Sequence, residues 1–512
     1  MSDWTNGYVA EIGYTFHYYQ ELNPLRARMA FLVSGLVPPS EGGVHCELGF
    51  GQGVSTNIHA AASNSTWYAN DFNPGQVSFA TQVAAASGAN AHMTDEAFAD
   101  FCVRTDLPNF DSIGLHGIWS WVNDENRCVI VDFIKRKLKV GGVLYVSYNT
   151  QPGWAAMAPV RDLLKEHSDV MGVAGDGIKK RVESALEFVD RLMVTNPAFL
   201  RTNPKVAEKI KNLKDKDRNY LAHEYFNQDW LPMPFSKMAR WLEPAKVSFA
   251  CSADYLSHVS ALNFTPEQAA LFNEIPDPMF KETVRDFIVN QQFRKDYWIK
   301  GARKLNVLEQ EQAYREQKVI LSVDRESVKL KVNGALGEAI IQADVYNPIL
   351  DLLADHKPRT LAQIEQALKG LDINFPQIVQ AVLVLSSSAT LMAVQDEAII
   401  PKAKKHTDKL NAWLINKSRS SGEVGFLASP VSGGGISVGR FEQLFLLAIS
   451  EGHKQSSEWA KFTWTILEAL GSKLVKEGKK METPEENIAE LIARADEFAV
   501  KRLPILKALQ VI

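Results

Sequence analysis

Three glycines alternate with other residues directly after an acidic position, in the segment Glu47-Leu48-Gly49-Phe50-Gly51-Gln52-Gly53. Glycines with this spacing let the backbone turn tightly at the end of a strand and approach a bound molecule closely. Asp71 lies 18 residues after Gly53, at the end of the next predicted strand. A carboxylate at that position can accept hydrogen bonds from both hydroxyls of a ribose. The two features together predict a binding site for a nucleoside.

The acidic residue before the glycines indicates which nucleoside fits. A GxGxG pattern alone is shared by many nucleotide-binding folds and is weak evidence. Glu47 precedes the first glycine by two positions, and a carboxylate there repels a pyrophosphate but complements an ammonium group. S-adenosylmethionine carries an amino-acid group and a positive sulfonium. The sequence therefore predicts this cofactor, with S-adenosylhomocysteine as its product; the alternative is a structural turn with incidental acids.

The other contacts of the nucleoside follow from the strand order, because ligands of open α/β sheets bind at the carboxyl ends of the strands. Asp95 follows the third predicted strand and is placed to accept from the adenine amino group, with Glu96 as the alternative. Asn73 would support the ribose. His116, after the fourth strand, would face the donor sulfur or the adenine, or else be structural. The predicted cofactor-binding residues are Glu47, Gly49, Gly51, Gln52, Gly53, Asp71, Asn73, Asp95, Glu96 and His116.

Aromatic and amide side chains after the fourth and fifth strands are placed to receive the methyl acceptor. Tyr148, Asn149 and Trp154 follow the fifth strand, and Trp119 and Trp121 follow the fourth. Such residues combine apolar surface with a few polar groups, as ligand pockets do. Core packing is the alternative for the two tryptophans after the fourth strand. The predicted catalytic residues are Tyr148, Asn149, His116, Trp119, Trp154 and His223.

His223 belongs to a different part of the chain, the run His223-Glu224-Tyr225 in a mostly helical region. This run would supply a base or orient the substrate if that region folds over the sheet edge, as lids often do. A surface helix would carry the same residues without any such role. Tyr14 and Tyr18, in the aromatic-rich N-terminal segment, are candidates of the same kind.

Strands that alternate with helices would position these residues. This rhythm predicts an α/β fold, a Rossmann-like sheet that is mostly parallel with helices on both faces. The predicted strands are Val44–Leu48, Trp67–Ala69, Ala91–Met93, Phe110–Leu115 and Val143–Tyr148, completed by Val247–Cys251 and Tyr297–Ile299.

The chain has 512 residues, which is more than one ordinary hydrophobic core organises, so we expect several domains. Short strands at Val319–Val323 and Val328–Val332, read as a pair, precede three helices and a returning strand at Ala389–Val394, which suggests a winged-helix-like unit. We expect deletion of residues 306–512 to leave a domain that still binds the cofactor. The predicted organisation is a catalytic domain (1–305) with an N-terminal arm (1–40) and a helical cap (156–245), a winged-helix-like domain (306–400) and a mostly helical C-terminal domain (401–512).

Composition narrows the partners and the compartment. The net charge is −4, from 56 basic and 60 acidic residues, so the basic excess of a nucleic-acid-binding protein is missing. Four dispersed cysteines form no CxxC pair, which predicts neither a metal site nor disulfides. The sequence has no run of 18 apolar residues that would predict a membrane span. Residues Met1–Trp4 lack the basic start of a signal peptide, and no apolar stretch follows them. We therefore expect a cytoplasmic protein, and its oligomeric state is left open.

Three longer strings carry a family resemblance: Asp71-Phe72-Asn73-Pro74, residues 115–122 (LHGIWSWV) and residues 146–154 (VSYNTQPGW). They resemble the bacterial class I methyltransferases that carry a methyltransferase regulatory domain. The similarity is strong over residues 8–165, fainter over 220–300 and weak over the last 200 residues. The family commonly has a small residue or Cys at position 50, so the bulky Phe50 must point away from the cofactor.

The resemblance implies a Rossmann-like methyltransferase with S-adenosylmethionine as donor and accessory C-terminal domains. Relatives in the wider group are bacterial protein-lysine methyltransferases. Methyl transfer from a sulfonium is an in-line displacement in which alignment alone supplies about 7–11 kcal/mol. A lysine acceptor must first lose a proton, because its free pKa is about 10.4. We therefore predict N-methylation of protein lysines; the alternatives are methylation of a small molecule or surface glycan, and a non-catalytic regulatory protein that binds S-adenosylmethionine.

Overall fold

The computed structural model of the chain describes residues 5, 7–173, 175–476 and 478–512. Met1–Trp4, which entered the prediction about a signal peptide and begin the N-terminal arm, therefore lie outside the described residues. Within those ranges, no helix is both long enough and apolar enough to cross a lipid bilayer.

A mixed α/β sheet forms the centre of the first 300 residues. In the described part of the chain it has seven strands in the order β3-β2-β1-β4-β5-β7-β6. β7 runs antiparallel to β5 and β6 on either side of it, and the other pairs of neighbouring strands are parallel. The predicted fold class is confirmed, and every predicted strand of this sheet overlaps an observed one. The strands are β1 (Val44–Leu48), β2 (Thr66–Asp71), β3 (Ala91–Asp95), β4 (Phe110–Leu115), β5 (Leu138–Asn149), β6 (Ser248–Ser252) and β7 (Phe293–Ile299).

The register brings the carboxyl ends of the central strands to one edge. Leu48 of β1 lies opposite Asn70 of β2, and Asp71 lies opposite Asp95 of β3. The glycine segment, the end of β2 and the residues after β4 therefore meet at the same edge of the sheet. Helices cover the faces: α1 (Pro24–Val33), α2 (Val54–Ala62), α3 (Pro74–Ser87), α4 (Phe98–Phe101), α5 (Asp124–Lys137) and α6 (Gln151–Trp154).

The helical cap folds as a group of helices with a core of its own. Trp154, Val182, Leu221 and Tyr225 belong to this core, and Ile12 of the N-terminal arm packs against it. The helices that share this core are α7 (Ala158–Val170), α8 (Ile178–Val194), α9 (Ala198–Thr202), α10 (Lys205–Lys214) and α11 (Arg218–Tyr225). The next helix, α12 (Phe235–Leu242), packs instead in the core between the sheet and α5. Three further helices lie between β6 and β7 in the chain: α13 (Ser260–Asn263), α14 (Pro266–Glu274) and α15 (Pro278–Ile288).

Residues 306–400 contain a small antiparallel sheet and four helices, in the part that the structure describes. The sheet has the order β11-β8-β12, and β9 pairs separately with β10. The expected pairing of Val319–Val323 with Val328–Val332 was wrong, because Asp324 caps a short turn that diverts the chain after β8. The elements are α16 (Val307–Glu316), β8 (Lys318–Leu321), β9 (Lys331–Gly334), β10 (Gly337–Ile340), α17 (Ala343–Leu353), β11 (Arg359–Thr360), α18 (Leu361–Ala367), α19 (Phe375–Ser387) and β12 (Leu391–Ala393).

The C-terminal region is mostly helical, as predicted. Its elements are α20 (Ile400–Lys417), β13 (Phe426–Ser429), β14 (Gly434–Ser437), α21 (Arg440–Ser450), α22 (Ser456–Ala469), β15 (Val475–Lys476), β16 (Lys479–Lys480), α23 (Pro484–Glu497) and α24 (Leu503–Ala508).

The C-terminal region and the helix after the glycine segment share one hydrophobic core. Ile58 and Ala62 of α2 pack in the same cluster as Leu410 and Leu414 of α20. The Gln395 amide also donates to the Ala62 carbonyl at 2.9 Å. As a result every residue of α2 is buried. Deletion of residues 306–512 would expose the apolar side of α2 to water. This packing argues against the expectation from the sequence that residues 1–305 alone form a domain that binds the cofactor.

Candidate functional site

The glycine segment between β1 and α2 has a conformation that other residues rarely adopt. Gly49, Gly51 and Gly53 have φ values of 70°, 59° and 68°. A Cβ at Gly49 would lie 2.5 Å from Ile118 Cδ1, and one at Gly53 would lie 2.6 Å from Ala80 Cβ. Side chains at these two positions are therefore excluded both by backbone strain and by the neighbouring atoms. The loop is consequently held close to the strand edge, with its backbone open to a ligand.

Asp71 fastens this loop to the end of β2. Its Oδ2 accepts a hydrogen bond from the Gly51 amide at 2.8 Å, and its Oδ1 accepts one from the Asn73 amide at 2.9 Å. Burial raises the pKa of Asp71 to about 6, while these backbone donors act to lower it. The side chain is ionised at neutral pH and each oxygen keeps acceptor capacity for a further donor. Asp71 can therefore bind paired hydroxyls as well as shape the loop.

A cavity of about 320 Å³ opens at this edge, next to the ends of β1, β2 and β4. Its size lies in the range of small-molecule sites in proteins. The sequence-predicted site residues that line it are Gly49, Gly51, Gln52, Asp71, His116 and His223, and Trp121 lines it as well.

The N-terminal arm and the cap close this cavity from the other side. The Val9 amide donates to Asn227 Oδ1 at 2.8 Å, and His223 Nε2 lies 3.2 Å from the Ile12 carbonyl oxygen. Gln52 Nε2 in turn donates to the Tyr14 carbonyl at 3.1 Å. The cap therefore folds over the sheet edge, and the arm is held between cap and glycine loop. Tyr14 lines the cavity, whereas Tyr18 is buried beside β14 and His59.

His116 forms part of the cavity wall as a neutral ring. It stacks on Tyr19 with ring centroids 3.5 Å apart, and a hydrogen bond of 2.8 Å joins its Nδ1 to the Tyr145 hydroxyl. Burial lowers the pKa of His116 to about 3. A neutral, fixed imidazole can orient a neighbouring ligand but carries no charge at physiological pH.

Several predicted cofactor residues lie just outside the cavity. Glu47 is buried behind the glycine loop, where the Thr56 hydroxyl donates to its carboxylate; burial raises the pKa of Glu47 to about 8. Asn73 caps α3 by accepting from the Gly75 amide at 3.0 Å. Glu96 pairs with Arg104 at 3.1 Å. Gly53 is the residue before α2, and Asp95 is exposed at the end of β3.

The structure also keeps most of the predicted acceptor residues away from the cavity. The Tyr148 hydroxyl donates to Asp296 Oδ2 at 3.0 Å in the interior. Asn149 Oδ1 accepts from Trp154 Nε1 at 3.0 Å, and Trp154 packs on Trp230 inside the cap. Trp119 is fully buried in the core below α5. These side chains follow the correct strands but point into packed cores, because β7 and the cap cover the end of β5.

Replacing Tyr148 by Phe should lower the free energy of unfolding by about 1 kcal/mol, the usual net worth of one hydrogen bond. Methyl-transfer turnover and affinity for S-adenosylhomocysteine should stay unchanged, because the hydroxyl faces Asp296 rather than the cavity. Urea unfolding and turnover measured on the same preparations would check this. Lower turnover at unchanged stability would return Tyr148 to the active site.

Residues outside the predicted catalytic and cofactor-binding sets complete the cavity wall, and of these only Glu224, beside His223, had been noted from the sequence. Glu224 and Asn227 of the cap, Tyr8 and Tyr19 of the arm, and Asn70 of β2 all line it. The position of Asn227, four residues after His223 and three after Glu224, was a usable signal, since residues three or four apart lie on one side of a helical turn. The tyrosines could be placed only once the arm was seen to cross the cavity.

Two buried polar atoms in the wall indicate that a polar ligand belongs there. Asn70 Oδ1 and His223 Nδ1 are buried and, within the described ranges, have no hydrogen-bond partner. Buried polar atoms are normally satisfied, so each is free for a group outside the chain. Together with the Asp71 carboxylate they suit a ligand with hydroxyl and amine donors, such as S-adenosylmethionine.

Comparison with known proteins supports the same assignment. Residues 217–300 match the family described as a predicted methyltransferase regulatory domain. An uncharacterised protein of Synechocystis sp., sll1526, is 38% identical over 512 residues, covering 99% of each chain. An uncharacterised protein of Rickettsia prowazekii, RP789, is 25% identical over 306 residues, covering 58% of this chain and 53% of its own.

Among solved structures, PKMT2 from Rickettsia typhi has the same fold. Its complex with AdoHcy aligns with a TM-score of 0.67 at 18% identity, over 94% of this chain and 97% of that one. A second structure of the same R. typhi protein aligns with a TM-score of 0.68 at 16% identity, over 96% of this chain and 99% of that one. The sheet order, the glycine loop with its acidic partner and the match over residues 217–300 lead to one conclusion: this chain belongs to the class I S-adenosylmethionine-dependent methyltransferases that carry a methyltransferase regulatory domain.

Proposed function

We propose that this methyltransferase holds S-adenosylmethionine in the cavity at the ends of β1, β2 and β4 and transfers the methyl group to lysine side chains of proteins. The observation that carries the proposal is the cavity itself, with the Asp71 carboxylate and the open glycine loop on one wall and tyrosine rings on the other. A strand edge with these groups suits the nucleoside half of the cofactor.

The chain's own residues would supply binding, alignment and exclusion of water. Asp71 would accept from the ribose hydroxyls, and the backbone of Gly49 and Gly51 would let the ligand approach the strand edge. His116, held by Tyr19 and Tyr145, would keep one wall rigid. When bound, S-adenosylmethionine supplies an activated methyl group on a positive sulfur. In-line transfer then depends mainly on alignment with the acceptor.

Lysine is the proposed acceptor because the cavity suits a positively charged amine on a long apolar stem. Tyr8, Tyr14 and Tyr19 contribute aromatic faces, which attract ammonium groups. The name of the R. typhi protein of the same fold abbreviates protein lysine methyltransferase, which supports a protein acceptor. We place no nucleic acid among the partners, since the net charge of −4 gives no basic excess.

Calorimetry of the purified full chain with S-adenosylmethionine and S-adenosylhomocysteine tests the cofactor, and micromolar-range dissociation constants are expected. Mass spectrometry of bacterial protein extracts incubated with the chain and deuterated S-adenosylmethionine tests the acceptor. We expect labelled methyl groups on lysine Nζ. Absence of cofactor binding would overturn the whole proposal, whereas label on a small molecule or glycan alone would overturn the choice of acceptor.

A further inference from the structure

We propose that Glu224 is the catalytic residue that binds the ammonium group of the acceptor and accepts its proton before methyl transfer. The inference rests on the proposed function and adds to it the residue that selects a charged amine. Glu224 lies on α11 of the cap, and its side chain lines the same cavity as Asp71 and His116.

The first argument is that Glu224 has no partner among the residues that the structure describes. Across the described ranges, no hydrogen bond or ion pair joins its carboxylate to another residue, although the side chain is half-buried inside the cavity. Two other inward-facing carboxylates near this region are paired: Glu21 with Lys295 at 2.6 Å, and Asp296 with Arg294 at 2.9 Å. A shielded and unpaired charge is costly, so the position suits a cation brought by a ligand.

The second argument is the sign of the charge around the cavity. Its lining includes the carboxylates of Asp71, Glu224 and Asp229, and no lysine or arginine among the described residues. A methylation complex contains two cations, the sulfonium of the donor and the ammonium of a lysine. Asp71 belongs to the ribose end, which leaves Glu224 and Asp229 for the amine. Of these two, Glu224 is the one that interacts with Tyr8 and Tyr14 of the arm.

The third argument is the aromatic surface beside Glu224. The His223 ring lies 5.5 Å from the Tyr8 ring and 5.1 Å from the Tyr14 ring, between centroids. Tyr8 also packs edge-on against Phe72 at 5.6 Å. Ring faces around a carboxylate attract an ammonium and shelter it from water, which favours its neutral amine form.

The protonation of Glu224 fits a base that works near neutral pH. Burial raises the pKa of Glu224 to about 7. Burial also raises the pKa of the tyrosines facing it and lowers the pKa of His223, so these neighbours are neutral. The titratable groups facing Glu224 are Tyr8, Tyr14 and Tyr19 of the arm, Tyr220, His223 and Tyr225 of α11, and Asp71 and Asp229 of the cavity wall.

The proposed step balances in charge and electrons. One N–H bond of the acceptor ammonium breaks, and its proton goes to a carboxylate oxygen of Glu224, leaving an amine and a carboxylic acid. The nitrogen lone pair forms the new N–C bond to the methyl group while the C–S bond breaks and its electron pair stays on sulfur. The sulfonium becomes a neutral thioether, and the methylated nitrogen carries the positive charge.

Glu224→Gln tests the proposal with N-acetyl-lysine methylamide as the probe. In the wild type saturated with S-adenosylhomocysteine, probe affinity should fall as the pH drops below about 7. The variant should bind the probe at least tenfold more weakly without that pH dependence, because the buried ion pair is lost. Its affinity for S-adenosylhomocysteine should match the wild type.

Turnover of the same probe gives a second readout. General-base catalysis contributes about 10²–10⁴-fold, so Glu224→Gln should slow methylation by at least 10² at pH 7.5. The remaining rate should rise with pH towards about 10, because the variant must await the free amine of a lysine with pKa about 10.4. Glu187→Gln, the same change at an exposed position of α8, is the matched control and should behave as wild type.

The outcomes separate this inference from the proposed function. If Glu224→Gln keeps wild-type probe affinity, turnover and pH profile, the role of Glu224 is overturned while the methyltransferase assignment stands. If the wild type itself binds no S-adenosylhomocysteine, the proposed function fails instead. If Glu224→Gln misfolds and so loses cofactor binding, Glu224→Asp is tested in its place. For the proposal to hold, Glu224→Asp must turn over more slowly than the wild type but must still lose probe affinity as the pH falls below about 7.

Discussion

Replacing Asp71 by alanine should weaken S-adenosylhomocysteine binding by about 100-fold. Each hydrogen bond to a charged acceptor is worth about 1.5–3 kcal/mol, and the ribose would lose its carboxylate. The change also frees the Gly51 and Asn73 amides, which Asp71 holds at 2.8 and 2.9 Å. Calorimetric titration of the variant and the wild type at pH 8 would measure the loss.

A second variant and the pH dependence of binding give two further expected results. Asp71→Asn keeps the shape and one acceptor oxygen, so its affinity should fall between those of wild type and Asp71→Ala. Because burial raises the pKa of Asp71 to about 6, wild-type affinity should itself decline as the pH falls through 6 and the carboxylate takes up a proton. Equal affinity for all three proteins at pH 8 would mean that the ribose lies elsewhere.

Replacing Arg294 by methionine should lower the free energy of unfolding by about 3–5 kcal/mol, the cost of breaking a buried ion pair from one side. Arg294 is buried and binds Asp286 at 2.6 Å, Asp296 at 2.9 Å and Glu282 at 2.7 Å. Its guanidinium also lies 4.4 Å from the centre of the Phe235 ring. Methionine fills much of the volume but leaves three carboxylates facing one another.

The pH dependence distinguishes lost charge from lost packing. Burial raises the pKa of Asp286 to about 6 and raises that of Asp296, both opposed by Arg294. Without the arginine these carboxyls should hold protons more tightly, so the deficit of the variant should be larger at pH 8 than at pH 5. Urea midpoints at both pH values measure this, with Arg240→Met, at an exposed position of α12, as the control. A deficit independent of pH would assign the effect to packing.

The Arg294 network lies at the carboxyl end of β5 and the start of β7, where the Tyr148 hydroxyl joins it through Asp296. The regulatory-domain match, residues 217–300, includes Glu224, Asp286, Arg294 and Asp296. The matched region therefore contains both part of the cavity wall and this buried group of ion pairs.

Local sequence was sufficient to predict the sheet and the cofactor edge. Val44–Leu48 and Phe110–Leu115 have the predicted bounds, because runs of apolar residues ended by glycine or polar turns encode buried strands. The pairing of the glycine segment with Asp71 was predictable for the same reason: strand order places both at one edge. The family resemblance and the α/β class were likewise read from motifs and are confirmed.

Side-chain direction and long-range packing were not readable from the sequence. Tyr148 and Trp119 follow the correct strands, yet Tyr148 turns to Asp296 on β7 and Trp119 enters the core. The predicted pairing of the two strands after residue 318 was wrong for the same reason, since β8 pairs with β11 and β12, which lie far along the chain.

One wall of the cavity was predictable from local sequence, whereas the facing wall depends on tertiary packing. The glycines and Asp71 follow from local rules, because backbone turns and strand ends are encoded by neighbouring residues. The facing wall does not, because Tyr8, Tyr14 and Glu224 come from an arm and a cap more than 200 residues apart in sequence. Only tertiary packing brings these groups together, and burial in that shared cavity is what gives Glu224 its neutral-range pKa. Which residues of the arm and the cap line the cavity was therefore decided by the assembly of distant elements and not by any motif.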